Sequence, residues 1–277
     1  MKMKKIASVT LALTMCVAPA IGIAKDKSIG DKHHAHVHTT STTIDSLPKA
    51  KKFAPNKGPA AIEKSTIVKE LDEKGNVKAT SVTEKNVKAG KLQKSKAKDQ
   101  SQAAAASKTV TVLAVADEEY RAAYSDWQSR VQQIIENADN AFIRDHGIDF
   151  QVKAVGNWSS QGGNSSQILS DLSRDWNGYD YDFVVGFTRD TNFTAGGIAY
   201  VYSSNPGGSA FSVNLDQGVT NTSKAAQHEF SHNFGLGHDP QGSGIRCIMN
   251  YDYSYSVDYW HADHNAQIQR NKVWYGN

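Results

Sequence analysis

QHEFSHNFGLGHDP, Gln227–Pro240, packs three histidines, a glutamate, two glycines and an aspartate into one short stretch. On a helix turning about 100° per residue, His228 and His232 project from one face with Glu229 beside them. Two imidazoles so placed can hold one ion. Neutral imidazole nitrogen suits Zn²⁺, whose catalytic sites take three protein ligands and leave one position for water. Gly235 allows the left-handed turn that ends the helix and brings His238 back as the third ligand. Glu229, next to a ligand without being one, is placed to take a proton from a metal-activated water.

Around this stretch the chain divides sharply. Its 277 residues carry a formal charge of +3, but that average conceals two opposite zones. Residues 25–108 hold 18 lysines against nine acidic side chains and no tryptophan, whereas residues 109–277 hold ten basic and 19 acidic side chains and every tryptophan and tyrosine. The start has a basic head (Lys2, Lys4, Lys5), a short apolar run broken by Pro19 and Gly22, and small residues suited to cleavage after Ala24 or Ala20. It reads as a signal peptide over 1–24 and a secreted, extracellular product, rather than as an uncleaved membrane anchor. Cys16 follows Met15, where a lipidated cysteine would need a small residue. The processed chain keeps only Cys247, which excludes an intramolecular disulfide. Residues 25–106 read as a basic pro-segment and linker, set by charge against the acidic domain over 107–277. A solvated tail is the plain alternative, and the lack of interleaved aromatics argues against nucleic-acid binding.

The compact part starts near Ser107. TVTVLAVAD (109–117) reads as a strand buried on both faces. Asp117 then caps one long amphipathic helix through Phe142, stopped at Gly147. Further strands are expected at 150–158 and 181–187 around a helix at 165–176. GGIAYVYS and AFSVNLD then read as strands leading into the motif helix. In the pro-segment, short runs around Ile62, Ile67, Val68 and Leu71 flank a Gly75-Asn76 turn. The pattern predicts an α/β fold with a twisted mixed sheet of about five strands, mostly parallel with one antiparallel edge strand, and three main helices.

HEFSHNFGLGH matches HExxHxxGxxH, and CIMNY (247–251) looks like the Met-turn of metzincin metalloendopeptidases. The resemblance covers about residues 107–277. It implies a zinc endopeptidase acting on protein or peptide substrates, with Met249 stiffening the floor of the site. His238-Asp239, the Cys-Ile-Met triplet and GIAYVY ahead of SVNLD resemble the adamalysin (reprolysin) family. Tyr251, two residues after Met249, is similar instead to astacins and serralysins, where such a tyrosine stabilises the tetrahedral intermediate. Asp239 is expected to hydrogen-bond near the site and steer the third ligand. The substrate is expected to lie antiparallel to an edge strand containing Gly197, Ile198 and Ala199.

Adamalysin-type domains use disulfides and often a pro-segment cysteine for latency, but residues 25–108 contain no cysteine. Latency must then use another ligand or steric blockage. The tract DKHHAHVH, with His33, His34, His36 and His38, is either a pro-segment ligand or a polar tract with incidental metal affinity. Expected further are one catalytic Zn²⁺, the chain's own pro-segment as a partner, a monomer, and no stable membrane association after processing. Asp180 and Asp182 are too few oxygens to support a calcium site. The rival reading is a secreted metal-scavenging protein without protease activity, against which Glu229 argues because scavenging needs no base.

Overall fold

A computed structural model describes residues 42–52, 60–62, 65–86 and 108–276. The leader at 1–24, the His33–His38 tract and most of the linker before 107 lie outside the described residues. In chain order the elements are β1 (Thr42–Leu47), β2 (Thr66–Leu71), β3 (Val77–Thr83), β4 (Lys108–Ala116), α1 (Glu118–Ala123), α2 (Trp127–His146), β5 (Ile148–Asn157), α3 (Ser165–Asp175), β6 (Phe183–Thr188), β7 (Gly197–Tyr202), β8 (Ala210–Leu215), α4 (Gly218–Asn233) and α5 (Ala262–Asn271). A single 3₁₀ turn, Lys272–Trp274, follows.

Residues beyond 107 supply five strands in the order β7-β8-β6-β4-β5, parallel except for the antiparallel β7. That is the expected sheet, but it is not the whole sheet. Three strands from the segment expected to be pro-segment and linker extend it to eight, in the order β1-β7-β8-β6-β4-β5-β2-β3. β1 adds antiparallel to β7, and the β2–β3 hairpin adds through a parallel pairing of β2 with β5. Gly75, at φ +77°, sits in the tight turn of that hairpin.

β4 explains why both faces must be covered. Val110, Val112 and Ala114 point into one core with α2 and α4, while Leu113 and Val115 point into the other with Trp158, Ile168, Leu172 and Trp176. Alternation on a strand sends successive side chains to opposite faces, so a doubly apolar strand needs helices on both. The larger core is aromatic: Phe150 stacks on Phe230 of α4 with ring centroids 4.8 Å apart, and Phe142 of α2 meets Trp260 edge-on at 4.7 Å. α4 is thereby pinned by its apolar face.

One sequence expectation fails locally. The helix predicted from Asp117 to Phe142 is two helices, with a break at 124–126. Asp117 does cap the first, accepting from the Tyr120 amide at 2.8 Å. Tyr124 then leaves helical geometry at φ −136°, ψ 109°, and Asp126 opens α2 with a carboxylate that accepts from the Ala60 amide at 3.2 Å. The three-residue period carries across the break because both helices cover the same sheet face. α2 ends as expected at Gly147, in left-handed geometry at φ +68°. Among the described residues, no helix is long and apolar enough to cross a membrane.

Candidate metal centre and cleft

α4 delivers His228, Glu229 and His232 at one end of the apolar-anchored helix, all fully buried. Gly235, at φ +88°, makes the turn that follows, and a Cβ there would fall 2.8 Å from the Tyr202 carbonyl oxygen. The chain then returns His238. The three Nε2 atoms converge: His228 to His232 is 3.1 Å, His228 to His238 3.0 Å and His232 to His238 2.9 Å.

The other ring nitrogens explain what this convergence means. His228 Nδ1 donates to the Ile248 carbonyl and His232 Nδ1 to the Leu236 carbonyl, each at 2.7 Å. His238 Nδ1 donates to the Asp45 carboxylate at 3.1 Å. A neutral imidazole with its proton on Nδ1 has a bare lone pair on Nε2. Three lone pairs aimed at one point repel one another unless a cation lies between them. Burial, reinforced by the neighbouring imidazoles, pushes His228 well below its ordinary pKa and His232 down to about 4, so neither of these two rings supplies a proton for that role. The donor set therefore fits a divalent ion such as Zn²⁺.

Glu229 lies beside this point, and neither of its oxygens has a hydrogen-bond partner among the described residues. Burial first, then the negative charge of Asp45, raises its pKa well above the ordinary carboxylate range; the Leu47 amide pulls weakly the other way without reaching hydrogen-bond geometry. Gly197 allows this closeness, since a Cβ there would come within 2.8 Å of the Glu229 Cγ.

Gly197, Ile198 and Ala199 do form the strand flanking the site, but its free side is taken by β1. Leu47, Ser46 and Asp45 stand opposite them in antiparallel register. The chain continues along the cleft to Lys52 through contacts with its backbone. Gly196 N donates to Leu47 O at 2.7 Å, Tyr251 OH to Ser46 O at 2.8 Å and Tyr255 OH to Pro48 O at 2.8 Å. Ala50 N donates to Gln217 Oε1 at 2.6 Å, and Asn221 Nδ2 to Lys52 O at 2.9 Å. Among the described residues, no lysine ion pair joins this segment to the acidic domain. A cavity of about 560 Å³ opens between residues 47–52 and Tyr251, Asp252, Tyr255 and Ser256.

Asp45 is the residue that sequence reasoning missed. Burial works against its ionised form, but the hydrogen bond from His238 holds its pKa below the usual value. The Tyr251 ring lies tilted at 59° to that of the third ligand, 4.2 Å between ring centroids, and burial pushes its hydroxyl pKa well up. Met249 is wholly buried and takes the Asp239 amide on its carbonyl at 3.1 Å. Asp239 differs from expectation: its carboxylate turns to His261, 3.0 Å from Nε2. Asp182 spends its oxygens on Thr111 and on the Gly276 amide, which accounts for it structurally.

A family model, Reprolysin_5, described as metallo-peptidase family M12, matches residues 106–261, more than half of the chain. No curated protein matches. Among solved structures, the chain is similar to metalloproteinase-II from Bacteroides fragilis, with 15% identity and a TM-score of 0.43 over 63% of this chain and 55% of that one. It is also similar to a chain in a chaperone-substrate complex, with 13% identity and a TM-score of 0.43 over 62% and 36%. The chain thus spans between a third and about half of the solved chains it matches.

Proposed function

The chain belongs to metallopeptidase family M12, and on that premise we propose that it is a secreted zinc-dependent endopeptidase, made as a precursor whose own residues 42–52 keep it latent. The observation that carries this reading is the extended chain lying along the cleft. Residues 42–52 run past the three histidines, held by strand pairing and by side chains that address their backbone. A site that holds the interior of a polypeptide in this way suits an endopeptidase, because backbone pairing admits many sequences.

His228, His232 and His238 would hold the ion, which supplies Lewis-acid polarisation of a scissile carbonyl and a water acidic enough to lose a proton near neutrality. Glu229 takes up that proton at a carboxylate oxygen and delivers it to the leaving amine nitrogen as the C–N bond breaks. Tyr251, whose hydroxyl meets a backbone carbonyl at 2.8 Å, donates to the substrate carbonyl as negative charge develops there. Latency follows from the same contacts. With β1 in place, Glu229 is buried and biased towards its protonated form, and Asp45 holds the outer nitrogen of His238. Removing β1 readmits solvent and takes away the Asp45 charge, which restores Glu229 as a base.

The test is cleavage of casein or gelatin by the chain before and after it is cut between residues 52 and 60. The cut form should cleave internally, stop with a chelator and recover with Zn²⁺. A cut form, dissociated from residues 42–52 and loaded with zinc, that leaves both proteins intact would overturn the reading.

A further inference from the structure

Immediately after the third histidine the fold assembles a second group of donors. Asp239, Cys247, His261 and His264 each bring one donor atom, all within 4.8 Å of one another. Asp239 Oδ1 lies 3.0 Å from His261 Nε2, Asp239 Oδ2 3.8 Å from His264 Nδ1, and Cys247 Sγ 3.3 Å from His264 Nδ1. Donors around a tetrahedral Zn²⁺ with bonds of about 2.0–2.3 Å lie roughly 3.3–3.8 Å apart, so only small movements separate these atoms from ligation.

Two further observations point to an ion. Asp239 is 8% exposed, and its Oδ2 is buried with no partner of hydrogen-bonding geometry. An orphaned buried carboxylate oxygen is costly. The sulfur of Cys247 is fully buried in a polar nook where two backbone amides, Met249 N at 3.5 Å and that of His261, are directed at it. Burial pushes this thiol up to about 12 while the two amides act the other way, so a cation among the donors is what would make the thiolate that binds metals.

We propose that Asp239, Cys247, His261 and His264 bind a second divalent cation, Zn²⁺ by the chemistry of the set, as a closed structural site. It ties the loop after His238 and the turn at Cys247 to the start of α5, a job that disulfides cannot do in a chain with one cysteine beyond its leader. On binding, the Cys247 thiol releases its proton to solvent. His261 gives something up: its Nδ1 now accepts from the Asp263 amide at a long 3.3 Å, and ligation through Nε2 moves the ring proton to Nδ1 and ends that capping contact. Without an ion, the same atoms form a hydrogen-bonded cluster that still leaves Asp239 Oδ2 unpaired. This site does not depend on the proposed peptidase activity.

The full chain loaded with Co²⁺ separates the two states, because only a thiolate ligand gives a sulfur-to-cobalt charge-transfer band in the near ultraviolet. The band should be present in the natural sequence, lost in Cys247→Ser, and retained when His228→Ala and His232→Ala disable the other site. His264→Ala, which keeps the sulfur, should lose one equivalent of tightly held zinc per chain and covers the case in which Cys247→Ser does not fold. No band at saturating Co²⁺, a band that survives Cys247→Ser, or unchanged zinc in His264→Ala would overturn the site. An active protease lacking the band would remove this site alone; an inactive chain showing it would leave it standing.

Discussion

The two edges of the sheet are finished by the same lysine-rich segment in two different ways. At one edge β1 lies over the histidines, with Asp45 on His238 and Ser46 under the Tyr251 hydroxyl. At the other, the β2–β3 hairpin buries Val68 and Leu71 against the core and meets no part of the site. β1 buries one side chain, Leu47, but is otherwise held by backbone and polar contacts, and its Ile44 remains exposed. Apolar burial fixes a hairpin permanently, whereas an added edge strand is exchangeable for any other extended chain. One edge is built as structure and the other as a removable occupant.

The comparison can be broken most severely at Glu229. In the cut form, Glu229→Gln should lower cleavage by about 10²–10⁴-fold, the range for a lost general base, while fold and metal content stay unchanged. Retained cleavage would remove the reason for a guarded edge. Next in size is Leu71→Ala at the hairpin edge. A buried leucine truncated to alanine costs about 2–5 kcal/mol, seen as a lower denaturation midpoint, with the uncut chain no leakier than before. Asp45→Ala should do the reverse. Losing one partner of a charged hydrogen bond costs about 1.5–3 kcal/mol, felt by the β1–cleft contact, so the uncut chain should leak activity tenfold or more without a matching fall in global stability. If Leu71→Ala also unlocked the enzyme, the two edges would be one cooperative lock.

What could be read in advance follows the distance over which each feature is encoded. The three histidines and Glu229 lie within eleven residues, so helical period and one glycine place them before any tertiary contact forms. The five central strands and their mostly parallel pairing follow from alternation and from right-handed crossovers. β1 was not legible, because its partner is more than 150 residues away and TTIDSL, at 42–47, carries no local signal that it pairs with anything. Asp45 gains its meaning only from that register. Asp239 misled for the same reason: its neighbour in sequence is His238, but its partners in space come from 261 and 264 at the start of α5. The helix break at 124–126 was hidden because the apolar period survives it.

The smallest effect lies between the edges and asks whether they share a core. His146 ends α2 with its ring against Trp260, centroids 5.2 Å apart, and its Nδ1 accepts from Gln269 Nε2 at 3.0 Å. Burial lowers its pKa from 6.5 to about 4, while the nearby charges of Asp145 and Lys272 act in opposite directions. Below pH 6.5 the unfolded chain takes a proton that the folded ring refuses. This contribution to stability is therefore whole above the unfolded pKa and falls as pH drops from 6.5 towards 4. With partial solvent screening the loss is on the order of 1 kcal/mol, a shift of a few degrees in melting temperature across that window. His146→Leu should flatten this acid slope. Because the ring sits in the core that both edges flank, the flattening caused by His146→Leu should be the same in the Asp45→Ala and the Leu71→Ala backgrounds, where the titrations of Asp45 and Glu229 cancel from the difference. A flattening that changed in Asp45→Ala alone would mean that β1 contributes to the core after all, and that it is less removable than its polar contacts imply.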